Sequence, residues 1–530
     1  MKNIINEFLN HDSKYKNIKK SNGVVYTPYA ISKFMINNML LVQDLIKNPF
    51  IKILDPSCGE GNILFPIIEH VYNIFKYNLP RINELHSLEL KEEMLINFII
   101  SNNIYGFETN IEMCCEFKEK LNILAKESKK NIYNEDFLFS NIEEEIDVVI
   151  GNPPYVSHKN IDREYYLKIK KEYSDVFSSK SDLMYAFFKK SNLCLKQGGK
   201  CSLITSRYFM EGDSGKKLRK YICENYSIKK IVDFYGLRPF KNAGIDPVIL
   251  FLEKKIFNDE IHVIKYFPLN LNFENFYIDK SYLLSDHWLL LDKIEKGIFD
   301  KICSRSGVKL REICESFQGI ITGLDKAFIV NLEEAEQIGI DKKFLRNWIK
   351  SSNIKNGEIK TSNSYLIYTD LITNIDEEIE LKVHLEKYRN DLEKRRECKN
   401  GIRRWFHLQW GRDEKLFLSG KLIFPFKNNY NDFAYDKGNF FSADVYGLIL
   451  RESSIYNYEE LKFLLNSKVY DFYFKCFGKK LGKDLYEYYP YSVMEMKIPY
   501  KPLKSIHEIN DYFNFDDDEI KYIEKRYSRL

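Results

Sequence analysis

The chain has 530 residues, 44% of them hydrophobic, and sets 80 Lys+Arg against 76 Asp+Glu for a formal charge of +4. That length supports two or three domains with real cores, and the near-neutral balance excludes a global polyanion-binding charge, so any nucleic-acid surface must be a local patch. Ten scattered cysteines, with Cys114 and Cys115 adjacent and no CxxC pair, suggest neither a zinc site nor a disulfide framework.

The N-terminal stretch "MKNIINEFLNHDSKYKNIKK" has no apolar core of a leader, and no apolar run is long enough to span a bilayer. A soluble protein of a reducing cytoplasm is expected, with no metal site and no membrane partner. From about residue 20 to 265, short apolar segments alternate with helical spacing. "IKILDPS", "NIYGFE", "NIYNEDF", "IDVVIGN", "GKCSLIT", "IKKIVDFYG" and "DPVILFLEK" read as strands. "AISKFMINNMLLVQDLI", "SDLMYAFFKKSNLCLKQ" and "SGKKLRKYICENY" read as helices between them. This predicts an α/β domain over residues 1–265 with a mostly parallel sheet. Residues 266–305 lack a clear period and read as a connector. Beyond it, over 306–530, turn-rich short strands ("FQGIITG", "AFIVN", "YLIYTD", "KLIFPF") surround a charged helical segment, "DEEIELKVHLEKYRNDLEKRREC". The chain then becomes helical from about residue 456. A mixed α+β second domain with a helical C-terminus is expected.

Chemistry concentrates at the predicted strand ends. "DPSCGEGNIL" places Asp55 at the carboxyl end of the first strand, where open α/β sheets bind ligands, and Gly59 and Gly61 let backbone approach a ligand closely. A lone GxG after a strand is equally well a structural turn. Leu64 replaces the third glycine of a dinucleotide fingerprint, and Asp55 would repel a phosphate. "IYGFETN" puts Glu108 at the next strand end, suited to accept from ribose hydroxyls, and "NEDF" follows with Asp136 and Phe137, an acceptor for an exocyclic amine beside an aromatic ring. Each acid alone could be a solvated loop residue; three in series at strand ends point to a nucleoside-like ligand. The gap from the glycine turn to Glu108 is about twice the spacing of about 20 residues in nucleotide-binding folds, which leaves Glu89 as a second ribose candidate.

"DVVIGNPPYV" ends a buried strand on a rigid polar turn. The Asn152 side-chain carbonyl and the Pro153 peptide carbonyl, held by Pro153 and Pro154, can converge on one amino group, and Tyr155 offers a flat face to the ring that bears it.

In order, "GVVYTP", "DPSCGEGN", Glu108, Asp136-Phe137 and "NPPY" resemble the motifs of the S-adenosylmethionine-dependent DNA adenine-N6 methyltransferases, and among them the gamma-ordered, TaqI-like group. "KSDLMYAFFKKSNLCLKQGGKCSLITSRYF" is similar to that family's later catalytic segments. "FQGIITGLDKAFIV", "FAYD" and "LLNSKVYDFYF" are similar to its recognition domain. "RRECKNGIRRWFHLQWGR" looks closest to CamA-type orphan methyltransferases of spore-forming clostridia. The resemblance implies a Rossmann-like methyltransferase sheet with helices on both faces, followed by a target-recognition domain. It implies S-adenosylmethionine held by Tyr26, Thr27, Pro28, Asp55, Ser57, Gly59, Gly61, Asn62, Glu108, Asp136, Phe137 and Asn152. Catalysis falls to Asn152, Pro153, Pro154 and Tyr155, and Phe240 would sandwich the target base against Tyr155.

The partner implied is double-stranded DNA, met by a monomer without an obligatory protein partner, at an asymmetric adenine-rich site. Arg403, Arg404 and Arg412, interleaved with Trp405 and Trp410, and Lys479, Lys480 and Lys483 beside tyrosines, suit that face; a solvated charged surface is the bland alternative. Other classes share parts of the pattern: a methyltransferase partner in a restriction–modification system, a catalytically silent DNA-binding specificity protein, and more remotely a protein-glutamine or RNA-adenine methyltransferase.

Overall fold

Hydrophobic residues of both parities along each central strand need cover on two sides, and the computed structural model shows how they obtain it. It describes residues 27–526 apart from 157, 179, 241–245, 256–259, 268–271, 285–286 and 483. The chain divides into two compact units, the first ending at Asp292 and taking in 482–484, the second running from Lys293.

In the first unit nine strands form one sheet: β1 (Ile53–Asp55), β2 (Ile104–Phe107), β3 (Asn131–Tyr133), β4 (Ile146–Gly151), β5 (Leu195–Ser206), β6 (Tyr226–Asp233), β7 (Pro247–Lys254), β8 (Glu260–Phe267) and β9 (Asn272–Asp279). Their order is β3-β2-β1-β4-β5-β7-β6-β8-β9. Strands β1 to β5 are parallel, β7 lies antiparallel between β5 and β6, β8 is parallel to β6, and β9 closes the edge antiparallel to β8. One face is covered by α1 (Tyr29–Met39), α2 (Leu64–His86), α3 (Leu95–Asn102) and α4 (Ile111–Leu124), the other by α5 (Arg163–Glu172), α6 (Met184–Cys194) and α7 (Lys216–Asn225). Alternate strand residues feed the two cores: Ile53, Val148, Ile150, Ile204 and Ile249 one, Leu54, Val149, Leu203, Val248 and Leu250 the other. Each such side chain contributes about 1.5–3 kcal/mol when fully buried.

All seven predicted strands form. The helix expected over 30–46 breaks at Leu40 into α1 and a short helix, Val42–Lys47, and the helix expected to reach Gln197 stops at Cys194, where β5 begins. Residues 266–292, read as connector, instead continue the first unit: β9 extends the sheet. It is an edge strand with exposed Tyr277, so its apolar pattern is weak. The long gap before Glu108 is filled by the 23 residues of α2 and then by α3. Pro80 inside α2 cannot donate to the preceding turn, and Asn78 leaves helical geometry there.

The second unit opens with α8 (Lys293–Arg305) and carries β10 (Cys314–Gln318), β11 (Ile329–Val330), β12 (Leu345–Ile349), β13 (Tyr365–Ile367), β14 (Lys421–Pro425), β15 (Ala434–Asp436), β16 (Phe440–Phe441) and β17 (Val445–Leu450). One sheet is ordered β10-β17-β14-β15 and antiparallel throughout, the other β11-β13-β12-β16. The charged segment read as a single helix is three short ones, Ile379–Glu386, Arg389–Glu393 and Arg396–Lys399. The helical end comprises α9 (Tyr458–Leu465), α10 (Lys468–Phe477), α11 (Ile506–Phe513) and α12 (Asp517–Arg526). Among the described residues, no helix is long and apolar enough to cross a membrane and no cluster of His, Cys, Asp and Glu is placed to hold a metal ion.

Candidate active site

Chain order reverses direction in the sheet between β1 and β4, the kind of switch point beside whose carboxyl strand ends open α/β sheets bind ligands. Asp55 ends β1 and is 1% exposed. Its Oδ1 accepts the Ser57 N–H at 3.0 Å. Burial, countered by that hydrogen bond and reinforced by the charge of Glu108, pushes its carboxyl up to about 7. The turn that follows needs glycine: Gly61 has φ +91°, and a Cβ there would lie 2.2 Å from Cε2 of Phe117. The Gly59 N–H donates to Glu108 Oε2 at 2.9 Å, and the Asn110 N–H to Oε1 at 2.8 Å. Asn110 in turn caps α4 by accepting the Met113 N–H. Glu108 thus stands at the end of β2, fastened to the glycine turn, with a second lone pair on each oxygen for a ligand hydroxyl. Glu89 is exposed beyond α2 and plays no part in this turn.

Asp136 follows β3. Its Oδ1 accepts the Leu138 N–H at 3.0 Å and its Oδ2 the Tyr165 hydroxyl at 2.8 Å. Phe137 departs from expectation: the turn Phe137–Phe139 places its ring in the core, 2% exposed, stacked on Phe187 at 5.9 Å and 5.5 Å from Phe107. Packed in this way, the ring offers no free face. Thr27 is buried, and the Pro28 carbonyl accepts the N–H groups of Ile31 and Ser32 to start α1. Tyr26 lies outside the described residues. Ser57 and Asn62 are half-buried in the glycine turn, and the Ser57 hydroxyl donates to the Asn152 carbonyl at 3.2 Å.

That bond joins the first loop to the loop after β4. The two strand ends are tightly apposed, since a Cβ on Gly151 would lie 2.7 Å from Pro56 Cδ. Pro153 is buried; Pro154 and Tyr155 are half-buried, the tyrosine ring against the second core. The Tyr155 hydroxyl donates to Asn152 Oδ1 at 2.8 Å. Burial, with the charge of Asp182 added, holds the phenol well above its ordinary range, so it stays a donor. The Asn152 amide oxygen is therefore fixed in place by the tyrosine hydroxyl. Asp182 was not singled out by sequence reasoning. Its Oδ1 accepts the Met184 N–H at 3.1 Å, and burial pushes its carboxyl up to about 6 against the pull of the Met184 and Val156 N–H groups. With Leu183 N–H donating to the Val156 carbonyl at 3.1 Å, it pins the end of the loop to α6.

Phe240 does not meet Tyr155. It is 3% exposed and belongs to the core that contains Phe234 and Tyr266, while Tyr155 packs on the opposite core. An aromatic at a strand end looks the same in sequence whether it serves a ligand or a core.

Of the basic residues singled out in the sequence, those described are mostly engaged internally. Arg403 pairs with Asp370 at 3.0 Å, Arg412 donates to Gln318 Oε1 at 3.1 Å, Lys479 pairs with Glu487 at 2.9 Å, and Lys480 is buried over the Tyr486 ring. Arg404 is exposed, with its guanidinium donating to the Thr373 carbonyl. Lys483 lies outside the described residues. Arg395, not singled out before, is 9% exposed and donates to the carbonyls of Thr322, Leu392, Trp405 and His407, shaping the loop on which Arg403 and Arg404 sit.

The two units agree with comparisons to known proteins. Residues 73–240 match the family described as Eco57I restriction-modification methylase; that span takes in Glu108, Asp136 and 152–155. Residues 346–498 match the TaqI-like C-terminal specificity domain. The Type II methyltransferase M.BstVI of Geobacillus stearothermophilus is 24% identical over 524 residues, covering 91% of this chain and 90% of that protein. The Type II methyltransferase M.HindII of Haemophilus influenzae is 25% identical, covering 88% and 87%. Among solved structures, the Type IIL restriction-modification enzyme MmeI in complex with DNA shares the fold, with a TM-score of 0.63 at 15% identity over 91% of this chain and 67% of that one. A methyltransferase-type sheet followed by a specificity-type domain defines the class. Both matched families, and these relatives, are named for restriction–modification or for its methyltransferases, and it is to them that the two halves of this chain are similar.

Proposed function

We propose that this protein is a site-specific DNA methyltransferase that moves a methyl group from S-adenosylmethionine to N6 of an adenine flipped out of double-stranded DNA. The observation that carries the reading is the Asn152 amide oxygen, held by Tyr155 at the end of β4 next to the end of β1 that bears Asp55.

The residues present fit that cofactor. Glu108 offers free lone pairs to ribose hydroxyls, Asp136 offers an acceptor for the adenine amine, and buried Asp55 gains a counter-charge when a cationic methionine group lies beside it. Ser57 and Asn62 lie in the glycine turn beside these acids, and Thr27 and Pro28 are assigned to the methionine end of the cofactor by the family resemblance. When bound, the cofactor supplies a methyl group already activated on a sulfonium.

The protein's own task is to hold the acceptor nitrogen. The N6 lone pair of adenine is delocalised into the ring and attacks poorly. When Asn152 Oδ1 and the Pro153 carbonyl accept both N6 hydrogens, the nitrogen becomes more tetrahedral and its lone pair points out of the ring plane. No strong base is needed before attack, so positioning and fixed dipoles do the work, and the positive charge left on the methylated nitrogen is relieved by loss of one of its two protons to water. Extruding the base costs a few kcal/mol, which stacking on the Tyr155 face offsets by about 1–3 kcal/mol. Phe240 could join that face only by leaving its core.

The second unit reads sequence. Exposed Arg404 suits a phosphate contact, whereas Arg403, Arg412, Lys479 and Lys480 reach DNA only by exchanging their present partners. One catalytic site with one recognition unit suits a monomer acting on one strand. The finer likeness to CamA-type orphan enzymes, with the asymmetric adenine-rich site it implies, rests on the stretch 395–412.

The test is expression in a bacterium lacking adenine methylation, beside Asn152→Ala, with modified bases mapped by single-molecule sequencing. N6-methyladenine at one short motif with the parent only is the expected result. Equal marking by Asn152→Ala, with removal of one transition-state contact expected to cost about 100- to 1000-fold in rate, would overturn the catalytic assignment.

A further inference from the structure

Helix α5 is the first α-helix after the 152–155 loop, and it is fastened to the turn after β3 at three points. The Tyr165 hydroxyl donates to Asp136 Oδ2 at 2.8 Å, the Lys168 ammonium lies 3.6 Å from the centre of the Phe139 ring, and the hydroxyl of Tyr173, just past the helix end, donates to the Leu138 carbonyl. Asp162 caps the helix by accepting the N–H groups of Glu164 and Tyr165, which fixes the backbone from which the Tyr165 ring projects. The ring itself packs edge-on against Phe139 at 5.9 Å. Asp136 is therefore gripped from both sides, Oδ1 by Leu138 N–H and Oδ2 by Tyr165. A carboxylate with one donor on each oxygen cannot rotate freely, and its remaining lone pairs point in set directions.

The geometry points to Tyr165 as a positioning residue for cofactor selection, its hydroxyl aiming the Asp136 carboxylate so that a purine bearing a 6-amino group is accepted and one bearing a 6-oxo group is refused. This rests on the methyltransferase reading and extends it to a side chain outside the binding loops. An amine donates to the fixed carboxylate, whereas a 6-oxo group sets lone pairs against it. Sites built to bond a particular polar group reject analogues lacking it most strongly. Without the Tyr165 hydroxyl the carboxylate can swing on its side chain, and discrimination falls while the pocket's shape stays.

Titration calorimetry with S-adenosylhomocysteine and S-inosylhomocysteine, which differ in the purine 6-substituent and in the N1 proton that the 6-oxo form carries, tests this on the parent chain, on Tyr165→Phe and on Lys168→Ala. The parent is expected to prefer the adenosyl ligand by about 100-fold or more. In Tyr165→Phe the preference drops about tenfold through weaker adenosyl binding, with the inosyl ligand unchanged within about twofold. Lys168→Ala, which loosens the helix without touching Asp136, keeps the parent's preference. An undiminished preference in Tyr165→Phe overturns the role, as does an equal drop in Lys168→Ala. A parent that binds neither ligand overturns the methyltransferase reading and this role with it.

Discussion

Two glycines of one turn make opposite demands on a methyl group, and that contrast can be measured. Gly59 has φ +51° and an added Cβ would meet only Met113 Cε, at 3.4 Å, an ordinary contact. Alanine there costs about 1–2 kcal/mol, the price of the left-handed region for a side chain. Gly61 has φ +91°, outside the region alanine tolerates, and its Cβ would sit 2.2, 2.5 and 2.9 Å from three atoms of the Phe117 ring. Phe117 is fully buried and packs edge-on against Phe65 at 5.2 Å, so it cannot turn aside. Backbone strain and overpacking each add about 1–3 kcal/mol, for a total near 3–5 kcal/mol. At roughly 2–4 °C per kcal/mol, scanning calorimetry should show a midpoint lowered by about 2–8 °C in Gly59→Ala and about 6–20 °C in Gly61→Ala. Placing Gly61→Ala in a Phe117→Leu background should recover about 1–2 kcal/mol of the loss, because the two changes share one space. Equal shifts for the two alanines, or strict additivity with Phe117→Leu, would refute the crowding argument.

Asp55 holds its proton to about pH 7 in the folded chain against 3.8 in its ordinary range, so its contribution to stability is full below about pH 4 and is lost as pH rises through 7. By linkage this amounts to a few kcal/mol; the ligand-free thermal midpoint should fall between pH 5 and pH 8 in the parent and fall less in Asp55→Asn, and parallel curves would contradict the assignment. Tyr155→Phe keeps the ring but removes the donor to Asn152 Oδ1; single-turnover methylation should slow about 3- to 10-fold, a hydrogen bond's worth, with Tyr155→Ala slower still. Arg395→Ala strands four carbonyls in the second unit and should lower its stability by about 2–4 kcal/mol, seen as faster proteolytic cleavage within 396–412, whereas exposed Arg404→Ala should leave the cleavage rate unchanged.

How far the sequence could be read depended on whether a residue's meaning was local. The central strands were legible because residues of both parities were apolar, and with them the positions of Asp55, Glu108 and Asn152 at strand ends. Glu108 could be preferred to Glu89 only by guessing that an extra helical stretch lay between, which α2 and α3 supply. Side chains whose partners are distant were misread. Nothing near Arg403 in sequence announces Asp370, nor anything near Arg412 announces Gln318, so positive charge looked available when it was already engaged. Phe137 and Phe240 failed for a related reason: burial of a ring is decided by what packs over it. Asp182 and Tyr165 were missed because a carboxylate or phenol in a helical stretch carries no mark of the loop it will hold. Strand β9 escaped notice as an edge strand with little to bury.

Asp55 and Asn152 end adjacent hydrogen-bonded strands, and parallel neighbours lie about 4.8 Å apart whatever their side chains. The gap between the two loops is thus a lattice constant of the backbone, trimmed by the Ser57 to Asn152 bond and by Gly151 against Pro56. Loop sequences can drift widely without changing that ruler, which is consistent with a full-length relative sharing only 24% of its residues. What drift cannot touch is the absence of a side chain at Gly151: even one methyl group there would wedge the strand ends apart and lengthen the measure itself.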